Sequence, residues 1–232
     1  RFFAKKAKIV ACGFERLDRL PDAALPNKRV VGNPVRKPIL DMRDAPYPSV
    51  EPGAPLQILI TGGSQGARLF GDVIPPAICA LPDDIRSRLK VVQQVREEQL
   101  KAVTALYEAA GISTQLSPFF SNMPELLAGS HMVIARSGAS SVTELAVVGR
   151  PALLIPLAIA MDDHQTGNAE AMAAAGGADV VQESELSAHT ITEILTQRFS
   201  DGEGLKARAE AAKSVGMYTA SEDLADLAEG LT

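Results

Sequence analysis

A glycine-rich turn with the sequence TGGSQG follows directly on an apolar run at residues 56–60. Gly62 and Gly63 carry no side chain, so backbone N–H groups there can approach a ligand closely, and Ser64 adds a hydroxyl donor. A run compatible with a helix, residues 67–80, comes next. A strand, a glycine turn and a helix N-terminus in this order can hold an anion such as a phosphate. The same pattern also suits a turn that only lets helix and strand pack closely, and the turn alone does not decide between the two.

A second junction of this kind, RSGASSVTE, occupies residues 136–144. Ser141 and Glu144 have the spacing of a capping box, in which the glutamate side chain reaches back to the N-terminus of the helix. Alternatively, a carboxylate at the mouth of a sheet can accept hydrogen bonds from two neighbouring sugar hydroxyls. The pattern alone leaves both roles open for Glu144.

A polar island, MDDHQTGN, occupies residues 161–168 after an apolar run. Asp162 and Asp163 fit a helix N-terminus as cap and first-turn acids. Adjacent acids rarely form a complete metal site, and no further histidine lies near in the sequence, so we expect no metal here. Gln165 and Asn168 lie three residues apart and can face one side of a first helical turn. Neutral amides in that position suit hydrogen bonds to sugar hydroxyls.

An arginine ends the turn GNPVR, on the far side of a proline-rich segment from the first glycine turn. This residue, Arg36, could supply the cation that a diphosphate needs. Sites for a diphosphate, a ribose and a sugar at one mouth together describe a nucleotide-sugar site.

Apolar runs alternate with helical patterns from residue 56 onward, which predicts an α/β fold with a Rossmann-like parallel sheet and helices on both faces. The predicted strands are 56–60, 89–95, 114–117, 132–135, 152–156 and 179–181, and the predicted helices are 67–80, 97–110, 123–127, 141–148, 165–175, 187–198 and 205–215. Ligands of such sheets bind beyond the carboxyl ends of the strands. We therefore expect both glycine junctions, the segment 119–122 and the polar island to lie at one mouth.

The composition excludes several classes of protein. The 232 residues are 46% hydrophobic and carry a net charge of −5, so the chain lacks the basic character of a nucleic-acid binder. Cys12 and Cys79 have no metal-binding or CxxC spacing and are expected to be small core residues. No signal peptide is visible, and the longest uncharged apolar run, residues 151–161, is too short to span a membrane. A dinucleotide-dependent oxidoreductase is disfavoured because the glycine turn lacks the GxGxxG spacing. A UDP-sugar epimerase of similar architecture remains an alternative.

Five motifs in this order resemble the MurG family of bacterial N-acetylglucosaminyltransferases. They are GNPVR (32–36), GGSQGAR (62–68), FFSNM (119–123), RSGASSVTELAVVGRPALLIP (136–156) and DDHQTGNA (162–169). The resemblance implies the C-terminal half of a GT-B glycosyltransferase, with the N-terminal domain mostly absent. It implies UDP-N-acetylglucosamine as donor and undecaprenyl-diphospho-muramoyl-pentapeptide as acceptor, in an inverting transfer without a catalytic metal or other cofactor.

The resemblance also implies roles for particular residues. Arg36 and Ser64 would contact the diphosphate, and the backbone of Phe120 would meet the uracil. Glu144 would bind the ribose, and Gln165 would bind the sugar hydroxyls with Asn168 close by. The full set of implied donor contacts is Arg36, Gly63, Ser64, Gln65, Phe120, Ala139, Ser140, Ser141, Val142, Thr143, Glu144, Gln165 and Asn168.

The resemblance divides the chain into three parts. Residues 1–31 would be a remnant of the N-terminal acceptor domain, residues 32–55 a linker, and residues 56–232 the UDP-sugar-binding domain. The family's proposed base lies in the N-terminal domain, so no catalytic residue is assigned here. A chain that binds a UDP-sugar without catalysis, and needs a separate acceptor-binding partner, is the alternative.

The cluster Arg1, Lys5, Lys6 and Lys8 would touch an anionic membrane surface or form a solvated helix face. The family resemblance implies a cytoplasmic enzyme that is peripheral on the inner face of the cell membrane.

Overall fold

The computed structural model describes residues 3–16, 20–157 and 164–230, and of residues 64–67 it describes the backbone only. The predictions for Asp162 and Asp163 therefore lie outside the described residues. The same holds for the side chains of Ser64 and Gln65.

Two parallel sheets run through the described residues. A small sheet pairs β1 with β2, and a six-stranded sheet has the order β5-β4-β3-β6-β7-β8 with every neighbouring pair parallel. The strands are β1 Val10–Cys12, β2 Lys28–Val30, β3 Leu56–Thr61, β4 Leu89–Gln94, β5 Ser113–Ser117, β6 Met132–Ala135, β7 Ala152–Leu154 and β8 Ala178–Val180. The predicted parallel sheet is confirmed, with strand ends within two residues of the prediction.

Helices cover both faces of the six-stranded sheet. The helices of the described residues are α1 Lys37–Leu40, α2 Gly63–Cys79, α3 Asp83–Arg86, α4 Glu97–Ala109, α5 Met123–Ala128, α6 Ala139–Val148, α7 His164–Ala174, α8 Ala188–Phe199, α9 Gly202–Ser214 and α10 Ala220–Glu229, with 3-10 turns at Ala4–Lys6, Asp22–Asn27 and Glu183–Glu185. The sequence did not predict α1, α3 or α10. Helix α2 begins at Gly63 rather than at residue 67, so the glycine turn itself forms the first turn of the helix.

The side chains of the central strand β3 point alternately to the two faces of the sheet and contribute to two hydrophobic clusters. Ile58 and Ile60 point to the face that α2, α4 and α8 cover, where Phe70 packs. Leu59 points to the opposite face and packs in a cluster with Leu145 of α6. Since successive strand residues face opposite sides, a strand that is apolar throughout is covered on both faces.

The proline-rich segment is fastened to the sheet by buried polar groups. Tyr47 donates its hydroxyl to the carbonyl of His131 at 2.6 Å. The His131 ring accepts the Gln57 N–H on Nδ1 at 2.9 Å, and its Nε2 lies 2.9 Å from the Ser49 carbonyl. The ring is therefore the neutral tautomer with the proton on Nε2, and both nitrogens serve the fold.

Beside this segment, Arg150 is 1% exposed and bonds only to backbone oxygens in the described contacts. Its guanidinium donates to the carbonyls of Pro46, Leu127, Ala128, Val148 and Gly149. Those carbonyls belong to the proline-rich segment and to the C-terminal ends of α5 and α6, where intrahelical donors run out.

Both cysteines are free thiols. Cys12 is buried, and Cys79 is partly buried against the core. Burial raises the pKa of each thiol, which keeps both protonated at neutral pH. Among the described residues, no helix is long and apolar enough to cross a membrane.

Candidate functional site

A cavity of about 430 Å³ opens beside the carboxyl ends of β3 and β6. Thr61 ends β3 and Ala135 ends β6, and both line it. Its remaining walls come from the turn before α1, from α5 and from the first turns of α6. The lining residues are Pro34, Val35, Arg36, Thr61, Met123, Leu127, Val133, Ala135, Ser140, Ser141, Glu144 and Leu145.

A second cavity of about 210 Å³ shares Thr61 and Ser141 with the first. It is lined by Thr61, Gly62, Gly63, Arg136, Gly138, Ser141, Leu157 and Gln165. The two cavities together bring both glycine junctions and the start of α7 to the carboxyl edge of the sheet, as predicted.

The helices that begin at these cavities carry no side-chain caps. Gly62 precedes α2 and Gly138 precedes α6, and neither helix start is bonded by a cap side chain. Gly63 has φ +61°, a left-handed conformation that glycine adopts at little cost. Their first N–H groups and positive dipole ends are therefore directed to the cavities, where an anion would be favoured.

The capping-box interpretation of Glu144 is wrong. The cap of α6 is Gly138, so Ser141 lies inside the first turn and Glu144 is too far along to reach back to the cap N–H. The Glu144 side chain is 16% exposed and lies in the wall of the larger cavity.

Glu144 accepts two hydrogen bonds from one guanidinium. The Nε and Nη2 atoms of Arg36 lie 3.2 and 3.0 Å from the same oxygen, Oε1. Arg36 is exposed, with 67% of its side chain in contact with solvent. Two residues that the sequence assigned to different parts of a ligand thus pair with each other in this structure.

The other residues assigned on α6 divide between its two faces. Ser140 and Ser141 line the larger cavity, whereas Val142 and Thr143 are buried on the far side against the turn at Gly32. The Thr143 hydroxyl donates to the carbonyl of Ala139 at 2.8 Å, inside the helix. Of this set, therefore, only Ser140 and Ser141 are placed so that their side chains can meet a ligand in the larger cavity.

The two amides of α7 also differ. Gln165 lines the smaller cavity, and its Oε1 accepts the N–H of Leu157 at 3.0 Å. Asn168 is buried and donates its Nδ2 to the Ser137 carbonyl at 3.0 Å, which ties α7 to the loop after β6. Asn168 lines neither cavity, and its ligand role stays a prediction, as does that of Phe120, which is buried in the hydrophobic cluster of α5 and α6.

Sequence reasoning assigned no role to Arg136, which begins the second glycine junction. This residue is buried, lines the smaller cavity and lies 2.7 Å from the carboxylate of Glu183. Its Nη1 also donates to the carbonyls of Ile155 and Pro156 at the end of β7. A cation directly before a glycine junction was the only sequence signal for it.

Within the described ranges, no group of three or more His, Cys, Asp and Glu side chains could hold a metal ion. Both ring nitrogens of His131 are bonded to backbone groups, those of Gln57 and Ser49. His189 is exposed on α8 next to Glu193.

The sheet order, the helices on both faces and the cavities at the carboxyl edge define the class of fold: one Rossmann-like domain of the GT-B arrangement. The crystal structure of WaaG, a glycosyltransferase involved in lipopolysaccharide biosynthesis, has this fold at a TM-score of 0.60 and 19% identity. The match covers 87% of this chain and 56% of that one.

More specifically, this chain belongs to glycosyltransferase family 28, whose C-terminal domain model matches residues 57–224. The chain is 48% identical over 231 residues to the UDP-N-acetylglucosamine–N-acetylmuramyl-(pentapeptide) pyrophosphoryl-undecaprenol N-acetylglucosamine transferase of Maricaulis maris. It is 42% identical to the protein of the same name from Phenylobacterium zucineum. The predicted resemblance to the MurG family is confirmed.

The crystal structure of Acinetobacter baumannii MurG matches 95% of this chain at a TM-score of 0.78 and 30% identity. The chain covers 60% of that structure and 63% of each of the two relatives named above. It therefore spans less than two thirds of their length.

Proposed function

We propose that this chain is the donor-binding half of an inverting N-acetylglucosaminyltransferase that uses UDP-N-acetylglucosamine. The observation that carries the proposal is the paired cavity at the carboxyl edge of the sheet. Two helix starts without side-chain caps, a cation and a carboxylate converge there, and a nucleoside diphosphate presents the matching anion and hydroxyls.

The donor fits this site in a defined order. The diphosphate lies against Gly62 and Gly63 with Arg36 as its cation, and the ribose hydroxyls donate to Glu144. The sugar extends toward Gln165 in the smaller cavity. The names of the relatives support the donor, since they contain UDP-N-acetylglucosamine.

The acceptor in the proposal is undecaprenyl-diphospho-muramoyl-pentapeptide, and the transfer would take place at the inner face of the cell membrane. The relatives' names support this, because they contain a pentapeptide and a pyrophosphoryl-undecaprenol. The proposal assigns donor binding to this chain. It leaves acceptor binding and the base to the remainder of such proteins, and the division at residues 31 and 55 stays part of it.

Calorimetric titration of the 232-residue chain with UDP, UDP-N-acetylglucosamine, NAD and ATP, in the presence of EDTA, tests the proposal. We expect both uridine nucleotides to bind and NAD and ATP to bind at least about tenfold more weakly, because the proposed site is specific for a uridine diphosphate. Tighter binding of NAD than of UDP would overturn the proposal. A requirement for a divalent cation would overturn the metal-free site.

A further inference from the structure

The contact between Arg36 and Glu144 occupies the two charged groups that the donor is proposed to need. The pair is built from one exposed and one largely buried side chain. Both guanidinium donors converge on a single carboxylate oxygen that lines the larger cavity. In the ligand-free protein, each of these groups is therefore the other's partner.

We propose that this pair makes the site selective for nucleoside diphosphates over bare nucleosides, an inference that rests on the proposed function. A diphosphate offers Arg36 an anion in exchange for the carboxylate, and Glu144 is released to accept the ribose hydroxyls. A nucleoside brings the hydroxyls but no anion, so it must separate the ion pair without giving the guanidinium a new charged partner. The phosphate and ribose ends of the ligand thus bind cooperatively through one exchange of partners.

The backbone around Arg36 lets the exchange occur without refolding. The Arg36 carbonyl accepts the N–H groups of Ile39 and Leu40 at the start of α1, whereas its side chain makes no cap bond. Glu144 is held inside α6. Only the arginine side chain, which is mostly in solvent, has to move.

The test compares uridine with UDP in the parent chain and in the variant Arg36→Met, by NMR titration and calorimetry. Methionine keeps much of the length of the side chain but carries no charge. The matched control is Lys37→Met, which removes the neighbouring positive charge from an exposed side chain that pairs with Asp41. Melting temperatures of all three proteins check that the fold is unchanged.

We expect the change at Arg36 to act in opposite directions on the two ligands. Uridine should bind about two- to tenfold more tightly, because Glu144 is already unpaired. UDP should bind about tenfold more weakly, because the diphosphate has lost its cation. Lys37→Met should leave both affinities within about twofold of the parent.

The dependence of uridine affinity on ionic strength gives an independent test. Salt screens the partly exposed pair, so uridine affinity in the parent chain should rise between 20 and 500 mM NaCl, because the screening length falls from about 21 Å to about 4 Å. The affinity of Arg36→Met for uridine should not change with salt. In the double variant Arg36→Met with Glu144→Gln, the gain for uridine should disappear.

Several results would overturn the inference. Equal or weaker uridine binding by Arg36→Met would mean that the carboxylate serves the guanidinium and the ribose together, since a carboxylate has about four acceptor positions. Uridine affinity in the parent chain that does not change with salt would also overturn the inference. Failure of the parent chain to bind UDP at all would instead contradict the proposed function, so the two failures are distinguishable.

Discussion

Two arginines of this chain, Arg36 and Arg150, show how the surroundings of one residue type separate recognition from scaffold. Arg36 lies mostly in solvent and holds a carboxylate that lines a cavity. Arg150 is buried and holds five backbone carbonyls. A ligand anion can replace the partner of Arg36, but no ligand can replace the carbonyls around Arg150, because they lie inside the fold.

The charge of Arg150 is stabilised without a carboxylate among its described hydrogen-bond partners. Burial lowers the pKa of its guanidinium to about 10, and the nearby Tyr47 opposes this shift. Arg150 therefore stays protonated at neutral pH. Its planar fork of five N–H donors matches carbonyls that approach from the proline-rich segment and from the ends of two helices.

The largest predicted effect follows from this contrast. Arg150→Met should lower the free energy of unfolding by about 3 kcal/mol or more, because it leaves buried carbonyls without donors. Arg36→Met should lower it by less than about 1 kcal/mol, because the Arg36 side chain is mostly in solvent. Urea denaturation of both variants measures the difference.

If Arg150→Met does not fold, a milder variant at the same position keeps the test informative. Arg150→Lys retains the charge but has three donors on one nitrogen and cannot reach carbonyls on both sides, so we expect an intermediate loss. Stability equal to the parent in Arg150→Lys would show that the charge matters rather than the fork.

The sequence predicted the scaffold of the site better than its contacts. Alternating strands and helices predicted the sheet, and the two glycine junctions predicted its mouth, because these patterns are local in the chain. The pair between Arg36 and Glu144 joins residues that are 108 positions apart. Such contacts depend on how the turn before α1 packs on α6, and no local pattern encodes that packing.

Local patterns also failed where two roles share one spacing. Ser141 and Glu144 have the spacing of a capping box, yet α6 begins at Ala139 after a glycine cap. Similarly, Arg150 lies in the string GRPALLIP, and nothing in that string marks it as buried. In both cases the helix start or the burial, not the residue type, decides the role.

A second prediction concerns His131, which belongs to the same structural region as Arg150. Burial lowers the pKa of its ring, and Arg150 and Arg88 contribute to the lowering, while the backbone bonds to Ser49 and Gln57 oppose it. The folded state therefore favours the neutral ring, whereas the unfolded chain takes up a proton below about pH 6.5. The stabilisation is complete above that pH and is lost as the pH falls toward the lowered pKa of the folded state.

One proton bound by the unfolded state alone changes the free energy of unfolding by at most about 1.4 kcal/mol per pH unit. Urea denaturation between pH 7.5 and pH 5.0 should show this slope in the parent chain and a smaller slope in His131→Asn. The control is His189→Asn, an exposed histidine on α8, whose slope should match the parent. An unchanged slope in His131→Asn would assign the pH dependence to carboxylates elsewhere.

The smallest predicted effect concerns Gln165, which combines both kinds of contact. Its Oε1 accepts a backbone bond from Leu157, a scaffold contact, while its Nε2 group carries two further donors at the smaller cavity. In Gln165→Ala, loss of the scaffold contact should weaken UDP and UDP-N-acetylglucosamine equally. Loss of the donors should weaken only the sugar nucleotide, by about a further 0.5–1.5 kcal/mol.

The ratio of the two affinities therefore isolates the sugar contact at Gln165 from the scaffold contact. Gln182→Ala is the matched control, because that amide donates to Thr166 in the first turn of α7 and lines neither cavity. Its ratio should equal that of the parent chain, even if the first turn of α7 loosens. An unchanged ratio in Gln165→Ala would place Gln165 with Arg150 among the scaffold residues, since a side chain that only fixes the loop after β7 cannot distinguish UDP from its sugar conjugate.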